Sequence, residues 1–213
     1  MSATNRGGER KVLDAYYTDP RVARALVATL PIRPEWTWLE PSVGAGAFVQ
    51  ALRERHGKRR PVIYGCDLDP RAAGLALCDG GDCGDFLALD LASAGGFDAV
   101  VGNPPFGDAE AHVRRAIAVV REGGIVAFLL RLAFLESARR FRLWSELPPE
   151  HVHVLSERPS FTGGGTDNCA YGFFRWRKGF RGEPRLSWLS WAERAGELPP
   201  WIVAPNAEGV ATR

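Results

Sequence analysis

The first half of the chain alternates between apolar patterns typical of helices and patterns typical of strands. An Asp19–Pro20 pair, which suits a helix start, precedes apolar residues at helical spacing and predicts a first helix. Residues 37–42 (TWLEPS) predict a strand that runs into the turn VGAGAF, followed by a helix that ends near Gly57. Residues 61–69 (PVIYGCDLD) predict a buried strand, and residues 69–78 predict a helix after it. We therefore expect a βαβ unit with a glycine turn.

The second half continues this alternation and ends in two adjacent strands. The expected elements are a buried strand at 97–106 with a proline turn, a helix from Asp108 that stops at Gly123 and Gly124, a strand at 125–130, a polar helix at 137–146, and strands at 151–157 and 170–176. Such an order predicts a mainly parallel sheet with helices on both faces, because crossover helices cover parallel strands. The last two strands predict an antiparallel hairpin at one edge.

Length and composition favour one domain. The 213 residues are 46% hydrophobic and 24% charged, ordinary globular values that exclude a disordered chain or a coiled coil. We expect a mobile segment at 1–13, a main domain at 14–181 and an irregular, proline-containing extension at 182–213. The apolar runs are too short to span a bilayer and the N-terminus lacks a signal-peptide core, so we expect a cytoplasmic protein without a membrane partner.

Charge and cysteine content narrow the function only slightly. A net charge of +2 is too small to indicate a nucleic-acid partner by itself, but basic residues cluster at 53–60, 131–142 and 175–185 and could form one basic pole. The four cysteines lack the paired spacing of a zinc site, so no metal is expected. His151 and His153 would lie on one side of a strand, where polar edge residues are commoner than a metal pair.

The glycine turn after the first strand is the first candidate site. Gly44 and Gly46 allow the backbone to approach a ligand closely at the carboxyl end of a strand. Asp67 follows Gly44 by 23 residues, at the end of the next strand, where a carboxylate can accept hydrogen bonds from both hydroxyls of a ribose. Together they favour a nucleoside-containing cofactor. An alternative role for an acid here, capping the next helix, suits Asp69 better.

The most specific motif is Asn103-Pro104-Pro105-Phe106, directly after a buried strand. Consecutive prolines stop both strand and helix and hold the backbone rigid, which leaves carbonyl groups for another partner. The Asn103 amide oxygen and the Pro104 carbonyl could together accept both hydrogens of an aryl amine, while Phe106 offers a face on which a base can stack. A plain turn with a packed phenylalanine is the alternative.

On these motifs the chain resembles the adenine-specific amino methyltransferases of the class I S-adenosylmethionine-dependent fold, in particular the small phage-type DNA enzymes. The resemblance covers roughly residues 14–180. It implies a Rossmann-like α/β domain with a mainly parallel seven-stranded sheet, S-adenosyl-L-methionine as cofactor and N6-methylation of adenine in a nucleic acid, with DNA favoured over RNA.

The same resemblance assigns residues to the cofactor, to catalysis and to the substrate. It implies that the cofactor is held by Tyr17, Thr18, Glu40, Pro41, Ser42, Gly44, Gly46, Asp67, Leu68, Asp85, Phe86 and Asn103. The catalytic residues would be Asn103, Pro104, Pro105 and Phe106. The substrate would be bound by the aromatic residues Phe161 and Tyr171 and by the cations Arg158 and Lys178. Burial in the hairpin is an equal alternative for the two aromatic residues.

Three other functions fit part of the pattern. Family members that read a defined sequence carry a separate recognition domain, and no insertion in this chain is large enough to be one. Methylation of adenine in RNA therefore stays open. A protein glutamine methyltransferase of the release-factor type could use the same clamp, and a methyltransferase-like domain without activity could act as a binding module.

Overall fold

One mixed sheet lies at the centre of the structure. The computed structural model describes residues 17–91, 96–159 and 168–192, and the backbone of 202–203. Its strands are β1 (Thr37–Glu40), β2 (Val62–Asp67), β3 (Gly80–Cys83), β4 (Phe97–Gly102), β5 (Val120–Arg131), β6 (His151–Leu155), β7 (Tyr171–Arg177), β8 (Arg185–Leu189) and β9 (Ile202–Val203). Its helices are α1 (Pro20–Ala28), α2 (Ala47–His56), α3 (Ala109–Val119) and α4 (Phe141–Glu146), with 3₁₀ helices at Ala73–Leu77, Phe106–Asp108, Leu132–Leu135 and Ala138–Arg140.

The strand order reverses between β1 and β4. The order is β3-β2-β1-β4-β5-β7-β6-β8-β9, and the neighbours from β3 to β5 are all parallel. The chain thus moves outward from β1 to β3 and then returns to build β4 and β5 on the other side of β1. Ligands of such open sheets bind beyond the carboxyl ends of the strands at this reversal. The fold therefore places a crevice between the ends of β1 and β4.

Both faces of the sheet are covered, as the alternating pattern predicts. Helices α1 and α2 pack on one face, where they bury Trp38 and Phe48, and α3 and α4 cover the other, where Phe128 and Trp176 are buried. Burial on both faces explains why residues 125–130 read as a continuous apolar run, since each is at most 1% exposed. The predicted α/β architecture, a mainly parallel sheet with helices on both faces, is confirmed.

The expected helix starts and ends near α1 and α2 are confirmed. The Asp19 carboxylate accepts a hydrogen bond from the Arg21 backbone N–H at 2.8 Å, and Pro20 occupies the first helical position. Helix α2 ends at His56 and is capped by Gly57, whose N–H donates to the carbonyl oxygens of the last helical turn. Helix α3, in contrast, ends at Val119, and the chain enters β5 before the two glycines that were expected to stop the helix.

The sheet is larger than the predicted seven strands, and the prediction of an edge hairpin was wrong. Strand β7 is antiparallel to both β5 and β6, but β6 then pairs in parallel with β8, and β8 with β9. The described part of the sheet has nine strands, and the hairpin lies inside it. The segment 182–213 was expected to be irregular, yet it supplies β8 and β9. Its prolines and short apolar run gave no clear strand pattern, and the pairing with β6 stabilises it.

The predicted helix over 69–78 is instead a short 3₁₀ helix, and a glycine explains the difference. The Gly74 N–H donates to the Gly44 carbonyl at 2.9 Å. A Cβ atom at Gly74 would lie 2.2 Å from Val43 Cγ1 and 2.6 Å from the Gly46 nitrogen. The segment is therefore pressed against the glycine turn, and this contact determines its conformation more strongly than its helical sequence pattern does.

Candidate active site at the carboxyl edge of the sheet

The glycine turn between β1 and α2 has a conformation that requires glycine. Gly44 and Gly46 have φ angles of 52° and 82°, which side chains other than glycine rarely adopt. A Cβ atom at Gly46 would also lie 2.7 Å from Leu77 Cδ1 and 2.9 Å from the Gly74 Cα atom. The turn therefore brings bare backbone to the mouth of the crevice, as the sequence predicts for a cofactor loop. Ser42 lies half-buried in the same turn.

Asp67 ties the end of β2 to this turn. Its Oδ2 atom accepts a hydrogen bond from the Gly44 backbone N–H at 2.7 Å, and its Oδ1 atom accepts one from the Asp69 N–H at 2.9 Å. Each carboxylate oxygen can accept a second hydrogen bond, so these contacts leave room for ribose hydroxyls. Asp69 instead accepts from the backbone N–H of Arg71 in a local turn, and the helix-capping role expected for it was wrong, because the 3₁₀ helix begins only at Ala73. Leu68, between the two acids, is 56% exposed and offers an apolar surface beside the crevice.

Glu40 is a buried carboxyl group at the end of β1. It is 2% exposed, and burial raises its pKa well above the ordinary value, an effect that the nearby Asp67 charge reinforces and the Val49 backbone N–H opposes. Its Oε2 atom has no hydrogen-bond partner in the described part of the chain. A buried acceptor without a donor fits a bound ammonium group, which would supply both hydrogen bonds and the opposite charge. Pro41, the next residue, is buried against Gly102.

The first described residues of the chain join the two motifs. The Tyr17 ring is 56% exposed, and a Cβ atom at Gly44 would lie 3.5 Å from it, so the ring borders the glycine turn. Thr18 lies on the other motif, because its Oγ1 atom accepts a hydrogen bond from the Asn103 amide nitrogen at 3.3 Å. Residues that were assigned to the cofactor and to catalysis from separate motifs are therefore neighbours.

The Asn-Pro-Pro-Phe turn follows β4 at the strand reversal. A Cβ atom at Gly102 would lie 3.4 Å from Pro41 and 3.5 Å from Glu40 Cγ, so β1 and β4 are packed tightly where both end. Pro104 is buried, and the Pro105 carbonyl accepts from the Asp108 N–H at 3.1 Å, which closes a 3₁₀ turn that starts at Phe106. The orientation of the Pro104 carbonyl toward a substrate amine stays a prediction.

An aromatic and cationic cluster surrounds Phe106. Its ring centroid lies 5.6 Å from that of Tyr171, and the Arg131 guanidinium carbon lies 4.7 Å from the Phe106 centroid. Tyr171 is 1% exposed. It therefore supports Phe106 from within the core rather than offering an open face for a base, which decides between the two roles left open by the sequence.

Asp85 and Phe86 have different surroundings after β3. Asp85 is exposed, and its Oδ1 atom accepts from the Leu87 N–H at 2.9 Å, so it is accessible to a cofactor base. Phe86 is 2% exposed and packs in the core beside His112, with the ring centroids 5.6 Å apart. Because the Phe86 ring is almost entirely buried, it leaves little surface for the cofactor contact that was predicted for it.

Of the two cations that were expected to bind the substrate, Lys178 lies away from the crevice. Lys178 lies at the amino edge of the parallel strands, where its Nζ atom donates to the carbonyl oxygens of Ala118 and Val120 at 3.3 and 2.8 Å. It stabilises the end of α3 and is far from the crevice, because β7 runs antiparallel to β5. Arg158 is exposed after β6, at the same edge as the crevice, and its role stays a prediction. Phe161 lies outside the described residues.

The expectation that the three basic clusters form one basic pole was also wrong. The cluster at 131–142 begins at the end of β5, at the carboxyl edge, whereas the cluster at 53–60 begins in the last turn of α2, at the opposite edge. In the third cluster, Arg175 and Arg177 form ion pairs with Glu150 at 3.0 and 3.1 Å. Of these three basic clusters, only the one at 131–142 lies near the crevice. Sequence reasoning placed Arg131 in a basic cluster but did not assign it to the site, although a cation at the end of a buried strand at this edge was a usable signal.

The described residues offer neither a metal cluster nor a helix that could span a membrane. The residues at 17–91, 96–159 and 168–192 contain no group of three or more His, Cys, Asp or Glu side chains placed to hold a metal ion. Over the same part of the chain, no helix has both the length and the apolar character needed to cross a bilayer.

Comparisons with known proteins agree with this geometry. No protein-family model matches the chain. The chain is 33% identical over 140 residues to the Type II methyltransferase M.TthHB8I of Thermus thermophilus; the match covers 66% of this chain and 31% of that protein, so the chain spans about a third of the relative's length.

Solved structures show the same fold. A modification subunit of a type I restriction enzyme from Vibrio vulnificus superposes with a TM-score of 0.64 at 18% identity, over 86% of this chain and 48% of that one. A class I S-adenosylmethionine-dependent methyltransferase of Listeria monocytogenes gives 0.59 at 16% identity, over 78% and 62%. The chain therefore has the class I S-adenosylmethionine-dependent methyltransferase fold, which implies S-adenosyl-L-methionine as its cofactor and confirms the predicted fold; the predicted specificity for adenine stays a prediction.

Proposed function

We propose that this chain transfers a methyl group from S-adenosyl-L-methionine to the exocyclic amino group of adenine in DNA. The observation that carries the proposal is the position of Asn103-Pro104-Pro105-Phe106. This turn ends β4 at the strand reversal, and Asn103 is hydrogen-bonded to Thr18 beside the glycine turn. Similarity to a Type II methyltransferase and to a restriction-enzyme modification subunit supports DNA as the substrate, because restriction enzymes act on DNA.

The crevice offers a complementary partner for each part of the cofactor. Glu40, with its buried Oε2 acceptor, would bind the ammonium of the methionine part, and the Gly44–Gly46 backbone would lie beside it. Asp67 would bind the ribose, and Leu68 and Asp85 would border the cofactor's adenine. When bound, the cofactor supplies an electrophilic methyl group on a sulfonium.

Asn103 would hold the attacking amine. In the assigned orientation its amide nitrogen faces Thr18, so its amide oxygen faces away from Thr18 and can accept from an amine. As the amine nitrogen attacks, its lone pair leaves conjugation with the ring, and two hydrogen-bond acceptors favour the resulting tetrahedral geometry. Such contacts are stronger in the transition state than in the ground state, so they accelerate the reaction without a strong general base.

Phe106 would hold the target base. An amine inside stacked duplex DNA cannot reach a methyl group at the carboxyl edge, so the base must leave the helix at a cost of a few kcal/mol. Stacking on an aromatic ring contributes about 1–3 kcal/mol per base and offsets part of that cost. Tyr171, packed 5.6 Å from Phe106, fixes the ring in place.

The proposal is tested by supplying labelled methyl groups to competing acceptors. The full chain is incubated with tritiated S-adenosylmethionine and duplex DNA, single-stranded DNA, RNA or release factor, and the products are hydrolysed and separated. We expect label in N6-methyladenine from DNA. Label in RNA adenine or in protein glutamine would assign the same clamp to another substrate. Cofactor binding without transfer to any acceptor would favour the binding module.

A further inference from the structure

A groove of about 520 Å³ opens at the carboxyl end of β5, and Arg131, one of its lining residues, also contacts Phe106 of the Asn-Pro-Pro-Phe turn. It is formed by the end of β5, the 3₁₀ helix after it and the residues just before β7. Its lining includes Arg131, Leu132, Leu135, Glu136, Cys169 and Ala170. Small-molecule sites occupy roughly 300–1,000 Å³, so the groove is large enough for one nucleotide.

Arg131 is shared by the groove and the Phe106 ring. Its guanidinium carbon lies 4.7 Å from the ring centroid, within the distance of a cation–π contact. Its backbone is the last paired position of β5, opposite Tyr171. Tyr171 in turn contacts Phe106. The guanidinium therefore covers Phe106 at the boundary with the groove.

A base that stacks on Phe106 from the groove needs the ring face that the guanidinium covers. A single face cannot hold both groups, so the guanidinium must move when the base enters. Arg131 is half-buried, and its side chain is long enough to turn from the ring into the groove that it also lines. A planar guanidinium binds a phosphate with two parallel hydrogen bonds. Glu136, the acidic residue of the lining, is exposed, so water screens its repulsion of a phosphate.

We propose that Arg131 is a positioning residue for the target nucleotide. In the free protein its guanidinium covers Phe106; the entering base displaces it from the ring, and it turns into the groove to bind the phosphate of the same nucleotide. The ligand is thus a purine nucleoside monophosphate unit within a nucleic acid. This inference rests on the proposed function, because it takes Phe106 as the stacking residue.

The test separates the charge of Arg131 from its bulk. Arg131→Met keeps most of the length and the apolar cover but removes the charge. Arg142→Met is the matched control, because Arg142 is exposed on α4 and paired with Glu146 at 2.6 Å, outside the groove lining. Deoxyadenosine and deoxyadenosine 5′-monophosphate are titrated into each full-length protein, and adenine proton resonances are followed by NMR, since stacking on a ring shifts them upfield.

The proposal predicts two effects of opposite sign. Wild-type protein and Arg142→Met should bind the monophosphate more tightly than the nucleoside, by about threefold or more, because an arginine–phosphate pair adds to stacking. Arg131→Met should bind the nucleoside more tightly than wild type does, since the entering base no longer has to displace a cation from the ring, and should lose the preference for the monophosphate. Arg131→Gln must show the same pair of effects, so the test survives if the methionine variant does not fold.

Two results would overturn the proposal. Equal weakening of nucleoside and monophosphate binding in both folded variants would mean that Arg131 only supports the ring. Absence of any stacking shift in wild-type protein that methylates DNA would remove the groove from the base site, while the proposed function would stand. The proposed function could also fail by itself. If the protein showed the predicted pair of effects but methylated no nucleic acid, Arg131 would still be a nucleotide-positioning residue, and the proposed methyltransferase activity would be wrong.

Discussion

Asp67 is the residue whose replacement tests the cofactor crevice most simply. Its carboxylate accepts a hydrogen bond from the Gly44 N–H at 2.7 Å, and we expect it to bind the ribose of the cofactor. We expect Asp67→Ala to weaken S-adenosylmethionine binding by about 1–3 kcal/mol, because a hydrogen bond to a charged group is lost. Isothermal titration calorimetry measures this directly.

Asp69→Ala is the control for that measurement. Asp69 lies two residues away and pairs with the exposed Arg71 at 2.9 Å, outside the glycine turn. The Asp69→Ala variant should therefore bind S-adenosylmethionine with the wild-type affinity. Equal affinities in wild type and Asp67→Ala would remove Asp67 from the cofactor site.

Gly46→Ala tests the backbone of the glycine turn. The positive φ of 82° and the 2.7 Å approach to Leu77 both oppose a methyl group, so we expect the free energy of unfolding to fall by about 1–3 kcal/mol. Urea denaturation followed by fluorescence gives this value. Gly123→Ala is the matched control, because Gly123 has a φ of 75° but nothing within 4 Å of the added Cβ. A loss at Gly46 no larger than the loss at Gly123 would show that the close packing contributes nothing.

At the scale of single elements, the pairing of β6 with β8 has a pH signature. The ring nitrogens of His151 and His153 lie 2.9 and 2.7 Å from Ser187 Oγ on β8. Burial and, to a smaller extent, the Arg175 charge lower the pKa of His151 to about 4, and burial together with the charges of His151 and Arg175 lowers the pKa of His153 to about 3. On His151, Arg185 acts in the same direction and Glu150 in the opposite one. Both rings are therefore neutral when folded at neutral pH.

The sign of the pH effect follows from these lowered values. Below the ordinary histidine pKa of 6.5, the unfolded chain binds protons that the folded chain does not. Stability should thus fall as the pH falls from about 6.5 toward 4, and His153 alone should account for about 2 kcal/mol lost by pH 5.

His153→Gln removes that titration and keeps a polar side chain for Ser187. We expect the mean slope of unfolding free energy against pH, measured by urea denaturation between pH 5 and 6.5, to decrease by about 1 kcal/mol per pH unit. A variant with the wild-type slope would show that His153 is not buried as a neutral ring, and would question the β6–β8 pairing.

The elements also show where sequence patterns suffice and where they fail. Residues 125–130 could be assigned because burial on both faces leaves an uninterrupted apolar run. Strand β8 could not, because Leu186 and Trp188 are 54% and 44% exposed and its pairing depends on a partner far away in the chain. A single glycine such as Gly74 is tolerated inside a helical pattern, so it did not argue against the predicted helix. Its contact with the glycine turn is tertiary, and the local sequence pattern does not show it.

For the whole molecule, the distribution of charge predicts where DNA binds. Only the basic cluster at 131–142 lies at the carboxyl edge, so its exposed arginines should contact phosphates. We expect Arg139→Ala to weaken DNA binding and to reduce the slope of log affinity against log salt by about 1. Arg55→Ala, at the opposite edge on α2, should change neither quantity. Equal effects of both variants in a fluorescence-anisotropy salt titration would contradict this placement.

The candidate site was predictable to the extent that it follows the ends of the parallel strands. The Asp67 and Asn103 positions follow from motifs at the ends of β2 and β4, and the fold brings them to one edge. Lys178 was misassigned because direction matters: β7 runs antiparallel, which carries its carboxyl end to the opposite edge. The antiparallel hairpin predicted from the sequence already implied that reversal, but Lys178 was assigned from the resemblance alone.

Asn103 provides the most direct test of the central claim, that the Asn-Pro-Pro-Phe turn methylates adenine in DNA. Wild-type protein and Asn103→Ala are compared for N6-methyladenine formed in DNA and for S-adenosylmethionine affinity. We predict that Asn103→Ala lowers turnover by at least tenfold, or about 1.4 kcal/mol, because an acceptor that acts mainly in the transition state is lost. Its cofactor affinity should change much less. Wild-type turnover of Asn103→Ala on every nucleic acid tested would make the turn structural and contradict the account.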